Sequence, residues 1–204
     1  MSRRTDRIHW RTSQKPQART TIVIDNEGKP MSSSTLIPVS EYLDTIYRPD
    51  RNYIDGHVVE RNLGKREHAA LQGILAGIFR EHRRAWGVIG LPEQRVKVTQ
   101  SNYRVTDLCV VRASDPRDPI VKHPPLIAIE ILSDGDTLRK THVEGQDYLR
   151  MGVEHFWIFD PIARKAFIGT NTTLAEPENG ELSVPGTEIR LVLKDIFAEL
   201  DELL

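Results

Sequence analysis

YRVTDLCVVR over 103–112, then, after a proline-rich break, PPLIAIEILSDGDTLRKTHVEGQDYLRMGVEHFWIFDP over 124–161: these two segments decide the fold. Each opens with a run that reads as a buried strand, and each run carries one carboxylate, Asp107 or Glu130. In the first run, alternation puts Asp107 on one face with Cys109 and Val111. In the second, Ile127, Ile129 and Ile131 form one face, and Leu126, Ala128, Glu130 and Leu132 form the other. A carboxylate in such a strand is costly unless it is paired, hydrogen-bonded or bound to a metal. Such a breach of the local rules marks a functional site.

Composition narrows the class. The chain has 204 residues, with 39% apolar and 28% charged residues, as in a globular protein of one domain plus a tail. A net charge of -1 gives no global attraction to nucleic acid, so any such binding must use a local patch. One cysteine excludes an internal disulfide framework and a cysteine-based zinc site, and Cys109 reads as a small core residue. No stretch reaches the length of a membrane span, and the basic N-terminus lacks the apolar core of a signal peptide. The expected location is cytoplasmic.

Residues 1–37 are polar and basic and read as a disordered tail, with Thr21 to Ile24 as one short strand candidate. Its arginines and lysine could touch phosphates; the plainer reading is a solvated tail. Residues 38–204 form the expected domain. Ser40 is a candidate cap for a short helix with Val39, Leu43 and Ile46 inward. Asn52 to Arg61 reads as a hairpin around Asp55-Gly56. Lys65 to Arg84 is the clearest helix, with Leu71, Ile74, Leu75, Ile78 and Phe79 at helical spacing. His68 extends that face and is either a satisfied boundary histidine or a site histidine beside Glu60.

Further on, Trp86 to Leu91 and Glu93 to Val98 read as two strands separated by Pro92, and 115–125, with four prolines, as a loop. Asp136 to Met151 is a helix capped by Asp134 or Asp136 and ended by Gly152, with Leu138, Val143, Tyr148 and Leu149 inward. Glu154 to Asp160 and Ala166 to Gly169 are strands, 171–180 a polar loop, Glu188 to Leu193 a strand and Lys194 to Leu204 a helix. The order predicts an α/β domain whose mostly antiparallel sheet is flanked by helices.

If their strands are neighbours, Asp107 and Glu130 converge at a sheet end. With the backbone carbonyl of Ile131 they offer oxygen ligands suited to Mg²⁺ or Mn²⁺. Such an ion can activate water and stabilise phosphodiester charge, and a nearby lysine would assist. Ser133 lacks a nucleophile-elbow motif, no Gly-rich phosphate loop is present, and the seven histidines lack zinc spacing.

The segments YIDGHVVERNLGKREH, VTDLCVV, IEILSDGDTLRK and YLRMGVEHFWIFDP resemble the Uma-two family of "putative restriction endonucleases", part of the PD-(D/E)XK nuclease superfamily. The resemblance spans about residues 40–170. It implies a restriction-endonuclease-like core and metal-dependent hydrolysis of phosphodiester bonds, with Asp107 and Glu130 as metal ligands and Glu60 as an upstream acidic residue. Three positions depart from the pattern. Thr106 stands where the superfamily has proline before the first Asp, and Leu132 where it has lysine after the Glu. The family's alternative helix lysine falls at Glu144, with Lys140 one turn earlier.

Lys140 then either supplies the ammonium from a displaced position or forms a surface pair with Glu144 in a protein with weakened or lost nuclease activity. The expectation is a Mg²⁺- or Mn²⁺-dependent endonuclease acting on double-stranded DNA, with Glu60, Asp107, Glu130 and Lys140 catalytic, His68 supporting and a homodimer cutting both strands. The alternatives are an inactive nucleic-acid-binding or interaction module on the same fold, and a nuclease acting on RNA.

Overall fold

The structure, a computed structural model, describes residues 36–62 and 64–204. Residues 1–35 of the basic tail, with the Thr21 to Ile24 strand candidate, fall outside the described residues; Ile37, placed in the tail by the sequence, is held to the hairpin, its N–H donating to the Gly56 carbonyl at 3.0 Å. Helix α1 (Val39–Asp44) leads into the hairpin β1 (Asn52–Ile54) and β2 (His57–Val59). Helix α2 (Arg66–Trp86) follows, then β3 (Val88–Lys97), β4 (Tyr103–Arg112), β5 (Ile127–Ile131), α3 (Leu138–Met151), β6 (His155–Asp160) and β7 (Lys165–Gly169). Short strands β8 (Leu174–Ala175), β9 (Glu181–Ser183) and β10 (Arg190–Val192) precede α4 (Leu193–Leu203).

The main sheet has eight strands in the path β2-β1-β4-β5-β6-β7-β8, with β3 on the other edge of β4. Strands β5 and β6 run parallel, and α3 supplies the crossover that a parallel pair requires. The remaining strand pairs of this sheet are antiparallel. The expected α/β sheet flanked by helices is therefore present.

Helix α2 forms because its apolar residues recur at helical spacing, and it buries Leu71, Ile74, Leu75 and Phe79. Gly87, at φ 64°, ends it in the left-handed conformation that a β-carbon disfavours. These side chains join Leu108, Val110, Ile127, Ile129 and Trp157 of the sheet, together with Ile196, Phe197 and Leu200 of α4. A second cluster packs Tyr148 of α3 on Cys109, Val111, Ala128, Phe156 and Ile158, and a third joins Tyr42, Tyr53 and Tyr103. Helices α2 and α3 thus cover separate clusters, and β4, β5 and β6 contribute to both.

Several local expectations are corrected. Strand β3 continues through Pro92, which pairs with Leu108 of β4. Proline is tolerated because β3 lies at the sheet edge there, where the missing N–H has no ladder partner to lose. The loop 115–125 adds a parallel bridge, Val96 to Val121, to that edge. Pro38 rather than Ser40 occupies the cap of α1, and the buried side chain of that helix is Tyr42, while Ile46 is exposed. Thr137, not Asp134 or Asp136, caps α3: its side chain accepts from the Lys140 N–H at 3.2 Å. Val143 points to solvent because α3 turns its Tyr148 side toward the sheet. The polar loop 171–180 contains β8, and β9, which was not expected, pairs with β10, the strand expected within 188–193.

Candidate active site

The site lies in a split in the sheet. Strand β3 pairs with β4 from Tyr103 to Arg112. On the opposite edge of β4, β1 pairs at Tyr103 and β5 pairs at Leu108, Cys109 and Val110. Residues 104–107 therefore border a gap between β1 and β5. Side chains satisfy ladder groups left free there, as buried backbone donors require. The Val105 N–H donates to the Asn52 side chain at 2.8 Å, and the Ile131 N–H donates to Asp107 Oδ2 at 2.8 Å. Carrying the β4–β5 register one pair outward from Leu108 and Ile129 sets Asp107 opposite Glu130. A cavity of about 340 Å³ opens here, with Glu60, Arg61, Asp107, Glu130, Ile131 and Lys140 in its wall.

Asp107 is buried and fully engaged. Oδ2 meets the Ile131 N–H and His68 Nε2, the latter at 3.2 Å; Oδ1 accepts from the Arg61 guanidinium. Burial opposes its ionisation, but the bond to His68, the Arg61 charge and the Ile131 N–H together hold its pKa below the ordinary carboxylate value. The alternation expected in β4 breaks at this residue. Arg104 and Thr106 reach α3 residues Asp147 and Tyr148, whereas Leu108 and Val110 lie in the cluster under α2. Asp107 meets His68 of α2, so it does not share the side of Cys109 and Val111, which lie under α3. Opposite Asp107 in the register, Glu93 has φ 51°, an unusual backbone state for a non-glycine residue, and the ladder skips it. The break in alternation at Asp107 thus coincides with a local distortion of β3.

Glu130 lies on the α3 side of β5, as its alternation with Ile129 and Ile131 predicted. Tyr148 donates to Glu130 Oε1 at 2.8 Å and accepts from the Thr106 hydroxyl at 3.1 Å. Burial, and then the Asp107 charge, push the Glu130 pKa well above the ordinary value, against the opposing pull of Arg61 and Tyr148. The two carboxylates are therefore driven apart, Asp107 toward the anion and Glu130 toward the acid.

The other sequence candidates are placed as follows. Glu60 borders the cavity, but its carboxylate is exposed and pairs with Arg51 at 2.9 Å. His68 contacts Asp107 rather than the expected Glu60. Lys140 stands at the rim, half exposed, with Nζ 3.7 Å from Asp136. The surface pair Lys140–Glu144 does not form: Glu144 faces Arg104 at 3.9 Å, because Arg104 extends from β4 beneath that turn of α3. Leu132 packs at the edge of the α3 cluster.

Three neighbours escaped the sequence reading. Arg61 bridges Asp107 and Glu93, and Arg104 pairs with Asp147 at 2.6 Å. Gln72 donates to the Asp107 carbonyl at 2.8 Å and to Glu93 at 2.9 Å. Only Gln72 carries a sequence signal, since it lies one helical turn beyond His68 on α2.

The family model of Uma2, described as "Putative restriction endonuclease", matches residues 39–193. The chain belongs to the Uma2 family. The Uma2 assignment agrees with the segments that resembled it. Among solved structures, a crystal structure at 1.96 Å of a "putative nuclease belonging to DUF820" from Anabaena variabilis is similar, with TM-score 0.69 and 22% identity. The match covers 80% of this chain and 99% of that one, and it shows a shared fold. A DrdV–DNA complex solved by cryo-electron microscopy matches with TM-score 0.38 and 16% identity, over 68% of this chain and 11% of that one. That likeness carries no argument. No curated protein matches. Among the described residues, no helix is long and apolar enough to cross a membrane.

Proposed function

We propose that this Uma2 protein is a metal-dependent endonuclease of the PD-(D/E)XK type that hydrolyses phosphodiester bonds in double-stranded DNA. The observation that supports it most is the split beside β4, where Asp107 and Glu130 stand opposite one another in the wall of an open cavity. Arg61, Arg104 and Lys140 border the same cavity and bring positive charge to a place where a phosphate could enter.

Among the described residues no three His, Cys, Asp or Glu side chains converge as a ligand set. A hard cation suits this, because Mg²⁺ keeps several waters and rests on one or two carboxylates. The donors fit Mg²⁺ or Mn²⁺: Asp107, Glu130 and the Ile131 carbonyl are all oxygen ligands, and all three residues line the cavity. When bound, the ion supplies charge stabilisation for the phosphoryl oxygens and a more acidic water. The chain's own part is orientation. Tyr148 fixes Glu130, His68 and the Ile131 N–H fix Asp107, and Lys140 at the rim is within a side-chain swing of the cavity. Glu60 would act only after leaving Arg51.

A plasmid-nicking assay with Mg²⁺ or Mn²⁺ tests this. The natural protein should cut, Glu130→Ala should cut at least 1000-fold more slowly, on the order of losing a group that acts in the transition state, and Lys140→Ala should lose most activity. An active protein indifferent to Lys140→Ala would make that lysine a surface residue. One observation favours a second reading: the guanidinium of Arg61 already balances Asp107. In that reading the protein binds nucleic acid or a partner without cleaving, and the assay shows binding but no nicking.

We also propose a homodimer, because one site cuts one strand and a two-fold axis supplies the second. Light scattering at micromolar concentration should give twice the chain mass of 23.3 kDa, and a monomer would remove the idea.

A further inference from the structure

Of the cations that border the cavity, Arg61 is the one that already holds Asp107. Arg61 lies two residues after the end of β2, and its side chain is only 15% exposed. One terminal nitrogen donates to Glu93 and the other to Asp107 Oδ1. The two oxygens of Asp107 are not equivalent. Oδ2 is committed to His68 and to the Ile131 N–H, both parts of the scaffold. Oδ1 is the oxygen left for an added ligand, and Arg61 holds it.

We propose that Arg61 is a resident cation of the metal position: its guanidinium and a divalent ion hold Asp107 Oδ1 in turn. The inference rests on the metal-dependent reading above. Two cations cannot share one buried carboxylate oxygen without strong repulsion, because little water lies between them. Loading the ion therefore requires the guanidinium to leave. The surroundings permit that movement. Glu93, the second partner, is 47% exposed at the rim, so Arg61 can keep that contact while releasing Asp107. Arg61 lies outside the strands and helices, between β2 and α2, so its movement breaks no ladder. Without the ion, Arg61 keeps Asp107 compensated, so a buried carboxylate can persist beside Glu130 in the split.

Calorimetric titration with Mn²⁺ on the full chain tests the proposal, using wild type, Arg61→Ala and Arg61→Gln. Both variants should bind Mn²⁺ at least tenfold more tightly than wild type. Without metal, Arg61→Ala should melt at a lower temperature, and saturating Mn²⁺ should raise its melting temperature more than that of wild type. Arg61→Gln keeps two donors without the charge and carries the test if the alanine variant fails to fold. Equal or weaker Mn²⁺ affinity in a folded variant, beside measurable binding by wild type, overturns the role of Arg61 and leaves the metal site standing. No binding by any of the three at millimolar Mn²⁺ overturns the metal site, and the role of Arg61 with it.

Discussion

Asp107→Asn is expected to lower the melting temperature at pH 7 by roughly 6–12 °C, which is about 3 kcal/mol for a chain of this size. The substitution keeps shape and removes charge. Arg61, largely buried, then faces Glu93 with no charge on its second side, and His68 loses its carboxylate partner. Removing one member of a buried ion pair leaves the other uncompensated, and that cost exceeds what the intact pair contributes. The pH dependence has a definite sign. The folded-state pKa of Asp107 is depressed, so its contribution is present above the unfolded carboxylate value of about 3.9 and is lost as pH falls through the folded value. Wild type and Asp107→Asn should therefore differ at neutral pH and converge in acid. Thermal scans from pH 7 to pH 2 measure this. Equal melting at pH 7 would mean that solvent already screens the Arg61–Asp107 pair.

The same network separates the two carboxylates by their effect on folding. Asp107→Asn and Arg61→Ala touch one contact, so their effects on metal-free stability should fall short of additive when combined, as for residues that share an interaction. Glu130 behaves differently. Its raised pKa makes it a burden to folding once ionised, so Glu130→Gln should not destabilise the protein at neutral pH, even though it removes a candidate ligand. One carboxylate thus supports the fold and the other strains it. A strained partner has its own use, because a cation that binds Glu130 relieves the repulsion from Asp107.

What the sequence revealed depended on how local the signal was. Strands β4 and β5 were legible because β-branched residues fill them, and Asp107 and Glu130 stood out as interruptions of those runs. Helix α2 was legible from Leu71, Ile74, Leu75 and Phe79. The split in the sheet was not, because it depends on a single distant pairing, Tyr53 with Tyr103. Nor was the break in alternation at Asp107. It coincides with the positive φ of Glu93 on a neighbouring strand, and periodicity within β4 carries no trace of it. Arg61 was hidden for a related reason. It lies in an irregular polar segment after β2, where a guanidinium aimed inward and one aimed at solvent have the same sequence signature. Glu60, its neighbour, took the attention because acidic residues fit the expected chemistry, yet the structure turns Glu60 outward to Arg51.

Gly145→Ala is expected to destabilise the protein by about 3 kcal/mol, at the upper end of ordinary overpacking. A helix interior disfavours glycine by about 1 kcal/mol relative to alanine, so on propensity alone the change would stabilise α3. Packing reverses the sign. A β-carbon at Gly145 would lie 2.1 Å from Cε1 and Cζ of Phe156. The ring cannot step aside, because a β-carbon built at Gly169 on β7 would itself lie 2.6 Å from Phe156 Cδ1, which shows how closely that backbone already abuts the ring. Phe156 is fully buried and pairs with Gly169 in the sheet. The remaining relief is for α3 to lift from the sheet. Tyr148, one turn along, would then lose its 2.8 Å bond to Glu130, and Lys140 would move with the helix. Thermal denaturation followed by circular dichroism should show a melting temperature lower by roughly 6–12 °C. Phe156→Leu should recover part of that loss in the Gly145→Ala background while being destabilising alone. If Gly145→Ala melts within about 2 °C of wild type, about 0.5–1 kcal/mol, the contact between α3 and Phe156 is looser than these distances allow. The helix would then not be what holds Tyr148 against Glu130.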